Sequence, residues 1–152
     1  MTKRNLFSLA LLLALGGVYV YMNDFFSTPT IQITPSIRPG RTSKHNPDVY
    51  PVTFMLDGKY KLTTVRVVTV ADAQTNSHPR PIWHLFSDTA SPATKIIIYG
   101  APIRGMKPGI PRARPEPLQA NVPYRLLLEA DDGSKGFVDF KTVEAVHVQA
   151  QK

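Results

Sequence analysis

Apolar and polar residues follow three rhythms along this chain. Residues 6–22, LFSLALLLALGGVYVYM, form a run of 17 positions without a charge, in which only Ser8 is clearly polar. Residues 27–48, STPTIQITPSIRPGRTSKHNPD, show no sustained apolar period, apart from a short alternation at Thr30–Thr34 that predicts a first edge strand. From Val49 onward, short β-rich runs are separated by turn residues, which is strand periodicity.

As a helix, residues 6–22 would span about 25 Å at 1.5 Å per residue, near the lower limit for crossing a bilayer. Lys3 and Arg4 precede the run and Asp24 follows it, while Phe7, Tyr19, Tyr21, Phe25 and Phe26 sit where rings favour a headgroup zone. The charge bias predicts a cytoplasmic N-terminus, a single-pass anchor over residues 1–26 and a periplasmic or extracellular domain. A cleaved signal peptide is the alternative, with Ala14-Leu15-Gly16 resembling a small-x-small site and a secreted product. The continuing run Val18-Tyr19-Val20-Tyr21 favours the uncleaved anchor. Residues 27–48 then serve as a linker, 49–142 as the domain and 143–152 as a tail or strand extension.

Within the domain, VYPVTFML (49–56) and KYKLTTVRVVTV (59–70) flank Asp57-Gly58 and predict a type I′ hairpin. PYRLLLEA (123–130) and KGFVDFKT (135–142) predict a second hairpin, turned by Asp131-Asp132-Gly133-Ser134. PIWHLF (81–86) and KIIIYG (95–100) add two more strands. The expectation is an all-β fold: a small antiparallel two-sheet sandwich of six or seven strands, with no helix beyond the anchor. Its inner faces are expected to carry Val65, Val67, Trp83, Leu85, Ile96, Ile98, Tyr124, Leu126 and Leu128. Residues 65–70 are apolar on both faces and leave the register there open.

Composition supports this picture. Fourteen prolines disfavour a helical domain, and the lack of cysteine excludes disulfides, a thiol nucleophile, a zinc–thiolate site and lipid attachment through an N-terminal cysteine. Net charge is +7. Lys3 and Arg4 account for two of the 18 basic residues, and the remaining 16 against 11 acidic ones leave the domain near +5. That excess suits a solvated surface or attraction to an anionic polymer or lipid.

The stretch Leu118-Gln-Ala-Asn-Val-Pro-Tyr124-Arg-Leu126-Leu-Leu128 resembles the tyrosine corner of fibronectin type III and related immunoglobulin-like domains. The resemblance covers about 25 residues and implies that Leu118 and Tyr124 are structural. It further implies that the Tyr124 ring packs inward while its hydroxyl returns to upstream backbone. Trp83 resembles the core tryptophan of such domains. The long gap between Ile98 and Leu118 and the missing cysteine pair depart from the pattern, and the resemblance transfers no activity.

That gap is the most unusual stretch. Residues 100–123, GAPIRGMKPGIPRARPEPLQANVP, hold six prolines and four cations, Arg104, Lys107, Arg112 and Arg114, against Glu116 alone. Proline lowers the entropy lost on binding, so these four residues are the candidate binding surface, presented to a protein or anionic envelope partner. The bland reading is a stiff connection with its charges in water. Catalytic and metal signatures are missing: His78 and His84 match no zinc spacing, and there is no G-x-S-x-G elbow, S-x-x-K motif or phosphate-cradling loop. No catalytic residue, metal site, cofactor or nucleic-acid partner is therefore expected. The expectation is a non-enzymatic binding or structural module of a cell envelope, or else an accessory subunit held in a larger membrane complex by its helix. An enzyme with a spatially assembled site is the third reading.

Overall fold

A computed structural model describes residues 11–19, 29–37, 39 and 49–145. Residues 11–19 are helical (α1). Eight strands follow: β1 (Ile33–Ile37), β2 (Val52–Tyr60), β3 (Leu62–Thr69), β4 (Trp83–Phe86), β5 (Thr94–Ile98), β6 (Lys107–Pro108), β7 (Pro123–Ala130) and β8 (Lys135–Lys141). They form two antiparallel sheets, one ordered β1-β2-β5 and the other β6-β4-β3-β7-β8. The chain is thus mostly β, as its alternation predicts.

The core lies between the sheets. Val52, Phe54, Leu56 and Ile97 from the smaller sheet meet Leu62, Val65, Val67, Trp83, Leu85, Leu126 and Leu128 from the larger. Phe54 and Phe140 pack edge to face with centroids 4.9 Å apart, and Trp83 does the same with Tyr99 at 5.2 Å. Edge-to-face pairs set the positive ring rim against the negative face, adding about 1 kcal/mol to area burial.

Five expectations are corrected. Asp57-Gly58 makes no hairpin: it lies inside β2, and the chain passes at Lys61 into β3 of the other sheet. A two-residue turn there would set Leu56 opposite Lys59 and Phe54 opposite Lys61, mixing charges into the apolar face, since directly opposed residues share a face. Asp57 instead accepts bonds from Gly58 N (3.1 Å) and the Tyr60 hydroxyl (3.0 Å), beside an irregularity in the β2–β5 ladder. Positive φ occurs at Gly100, Gly105 and Gly133, and not at Gly58.

Ile96 and Ile98 are outward-facing, 57% and 46% exposed, while Ile97 is buried. Three successive isoleucines give alternation no purchase, and the register is decided by pairing Ile97 with buried Phe54. The first strand is at the edge of its sheet, as expected, but runs Ile33–Ile37 and overlaps the expected alternation only at Ile33 and Thr34. Among the described residues the strand count is eight, because β6 arises inside the proline-rich stretch. A short helix α2 (Val70–Thr75) follows β3, where none was expected: the Thr69 side chain accepts the Asp72 N–H at 3.2 Å, a side-chain cap that turns the chain out of the strand. Val68, on the face opposite Val67, is buried outside the main cluster.

The β7–β8 hairpin stands as expected. Gly133 takes φ 81°, and Asp132 accepts the Ser134 N–H at 2.9 Å. Among the described residues, no helix is long and apolar enough to cross a membrane. The rest of the expected anchor, residues 1–10 and 20–26, lies outside the described residues, as does most of the linker.

Candidate functional site

The proline-rich stretch is a structured arch over the β4 edge of the larger sheet. After β5 the chain reverses at Tyr99-Gly100, where Gly100 has φ 76° and Ala101 N–H reaches Ile98 O at 3.1 Å. A second reversal at Gly105 (φ 78°) leads into β6, which pairs Lys107 with Phe86 and Pro108 with Leu85. Gly109 N–H then donates to His84 O (2.9 Å), and Glu116 N–H donates to Ile82 O (3.0 Å). One foot therefore uses a carbonyl of β4 and the other that of Ile82, the residue just before it.

Each foot has a supporting contact. A Cβ on Gly109 would lie 2.0 Å from His84 Nδ1, so only glycine fits where the chain crosses the imidazole. Burial, then the neighbouring Arg66 charge, hold His84 below the ordinary histidine range. At the other foot, the Tyr99 hydroxyl donates to Glu116 O at 2.7 Å, and Arg80 bonds the Glu116 carboxylate at 2.7 Å. Burial pushes the Tyr99 hydroxyl well up from its usual value, keeping it a donor.

Between the feet, residues 110–114 are all exposed and close through a turn from Ala113 N–H to Ile110 O (3.0 Å). Arg112 occupies the left-handed region at φ 65°. For a residue with a Cβ this costs about 1–2 kcal/mol. Ile110, next to the foot at Gly109, is 67% exposed.

All four candidate cations are exposed. Lys107 approaches Asp88 at 3.9 Å, a loose surface pair of little energetic weight. Arg104, Arg112 and Arg114 form no ion pair with a described carboxylate. Lys107, Arg112 and Arg114 belong to β6 and the arch. Arg104 sits at the preceding reversal and lines a separate groove of about 240 Å³ beside Ile96 and Ile103.

Two clefts flank the arch. One of about 300 Å³ runs beneath it, bounded by Arg80, Trp83, His84, Ile110 and Arg114. The other, about 270 Å³, opens at one end of the sandwich between Val49, Val52, Tyr99 and Leu118. Arg80 and His84 were not singled out as binding residues by sequence reasoning. The Pro79-Arg80-Pro81 run, stiff and directly before β4, was the available signal.

The three structural candidates are buried. Trp83 packs on Tyr99, Leu118 closes the C-terminal end of the stretch, and the Tyr124 hydroxyl accepts the Gln119 N–H at 2.9 Å. Among the described residues no three His, Asp or Glu side chains gather as metal ligands. Chemically the arch offers guanidinium and ammonium donors in water, the equipment of anion recognition by charge-assisted hydrogen bonds. Comparison with protein-family models, curated proteins and solved structures finds no match for this chain.

Proposed function

We propose that this is a fibronectin- or immunoglobulin-like binding module of a cell envelope, tethered by its N-terminal segment and working through the basic arch. Strand placement supports the first part. Lettered in order, β1, β2 and β5 take the A, B and E places, β3, β7 and β8 the C, F and G places, and β4 lies beside C. The bond from Gln119 N–H to Tyr124 matches the corner expected of that class.

The observation that carries the binding reading is the arch itself. It is bonded at two feet, to β4 and to Ile82 just before it, and is stiffened by proline, yet it shows its cations to water. Arg112 shares its left-handed conformation with Ala90 and Asn121, so what distinguishes the arch is its pinned, proline-stiffened backbone and its exposed cations. A preset cationic edge binds with less ordering cost than a loose one. Its target is an anionic partner, and no step of covalent chemistry is assigned to it.

A second reading rests on α1. Leu11, Leu12, Leu13, Leu15, Val18 and Tyr19 are 54–70% exposed, an apolar surface that calls for lipid or partner helices around it. In that case the chain is an accessory subunit gripped through its helix.

Affinity capture of the full chain from detergent-solubilised native membranes separates the two. The arch reading expects partners to be lost with the quadruple substitution Arg104→Ala, Lys107→Ala, Arg112→Ala and Arg114→Ala. Partners that survive it and vanish when residues 1–26 are exchanged for an unrelated anchor would transfer the role to the helix.

A further inference from the structure

The two sheets end in four edge strands, β1, β5, β6 and β8, and three of them are guarded. β1 and β6 each carry a proline, Pro35 and Pro108, which offers no N–H to a new neighbour. β8 is bonded by chain from the other sheet, at Lys135 O from Ile31 N–H (2.9 Å) and just past its end at Val143 O from Tyr50 N–H (3.4 Å). β5 has five residues, no proline, and no strand beyond it among the described residues. Alternate residues of an antiparallel strand send their backbone groups to opposite sides. Tyr99 N–H donates to Val52 O at 3.0 Å, so Ile97, two residues earlier, also faces β2. The N–H and C=O of Ile96 and the N–H of Ile98 therefore face the open edge, and Ala101 N–H reaches Ile98 O on that side.

The groove of about 240 Å³ follows this edge, since Ile96, Ile98, Ile103 and Arg104 line it and no β2 residue does. Lys95 and Arg104 are exposed and form no ion pair with a described carboxylate. We infer that β5 is a docking edge for an extended, acidic segment of another protein, added as a fourth strand to the β1-β2-β5 sheet. Its backbone meets the open groups of Ile96 and Ile98, its apolar side chains lie beside theirs, and a carboxylate meets Lys95 or Arg104. A second copy of this chain fits less well, because β5 carries no acid and self-pairing sets these cations against their own kind. The edge is independent of the arch reading and shares with it only Arg104 among the four candidate cations.

For the test, the full chain in detergent micelles is titrated into a fluorescent synthetic peptide of alternating valine and threonine with a central glutamate. The expected result is a saturable rise in anisotropy, with amide hydrogen exchange slowed at Ile96 and Ile98. Methylating alternate backbone nitrogens of the peptide should abolish binding, because the ladder loses its donors. Lys95→Glu with Arg104→Glu should weaken binding roughly tenfold and restore it for a peptide with lysine in place of glutamate. No saturable binding, or binding indifferent to methylation and charge reversal, would overturn the docking edge. An Ile96 amide already protected without peptide would overturn it too: independent of concentration, the chain covers its own edge, and rising with concentration, a second copy does. The variant Lys107→Ala, Arg112→Ala and Arg114→Ala should bind the peptide as the native chain does, whatever becomes of the arch reading. Binding lost in that variant would move the peptide to the arch and remove it from β5.

Discussion

Gly109 crosses β4 where the His84 ring leaves no room for a methyl group. Gly109→Ala should therefore cost about 1–3 kcal/mol of stability, the usual range for overpacking a tight contact. Chemical denaturation of the single variants and of the pair with His84→Ala checks this: in the pair, most of the loss from Gly109→Ala should disappear, a coupling expected only of residues in contact. Arg112→Gly should behave oppositely. Relief of the left-handed strain offsets the added freedom of glycine in the unfolded chain, so stability should hold or rise by up to about 1 kcal/mol while partner capture weakens. Neither site was legible beforehand, because close approach and φ depend on where the arch crosses β4. The inward positions Trp83, Leu85, Tyr124, Leu126 and Leu128 were legible, since His84, Arg125 and Glu129 mark the outer face, whereas Val65 and Val67 lie in a run whose register the sequence left open. Ile96-Ile97-Ile98 permits two registers, and the expected pair faced outward.

Among the elements, β7 and β8 were readable from local signals, and the passage from β2 to β3 was not. Asp131–Ser134 offers turn chemistry that agrees with the faces of both flanking strands. Asp57-Gly58 offers the same dipeptide with faces that disagree, and the cross-strand check against Lys59 and Lys61 is the signal that reveals it. The corner at the start of β7 depends on one hydroxyl. Tyr124→Phe leaves the Gln119 N–H without its acceptor and should lower stability by about 1–3 kcal/mol, measured by urea unfolding. On the outer face, Arg125 bonds Asp139 through Nε (2.6 Å) and Nη2 (2.8 Å), and its guanidinium lies 5.1 Å from the Phe137 ring centre. The bond from Arg125 holds the Asp139 carboxyl below its usual range. Its stabilising effect is full above the unfolded carboxylate pKa, about 4, and declines as pH falls through the lower folded value. Urea midpoints between about pH 2 and 6 should thus fall more steeply for the native chain than for Asp139→Asn.

For the whole molecule, two antiparallel sheets enclose one core, and the unusual sequence between β5 and β7 becomes a fixed arch on the larger sheet. Composition marked that stretch through its prolines and cations. It could not show that Arg104 is set apart from the other three, because that follows from the β6–β4 pairing. The central claim is that the tip of this arch is the contact surface. A photoreactive residue at Pro111, compared with one at Lys141 on β8, tests it most directly when crosslinked in native membranes. Adducts to lipid or protein concentrated at position 111, and abolished by replacing Lys107, Arg112 and Arg114 with alanine, are the predicted result. Equal labelling at both positions, or labelling at 111 that is indifferent to the three cations, would contradict it.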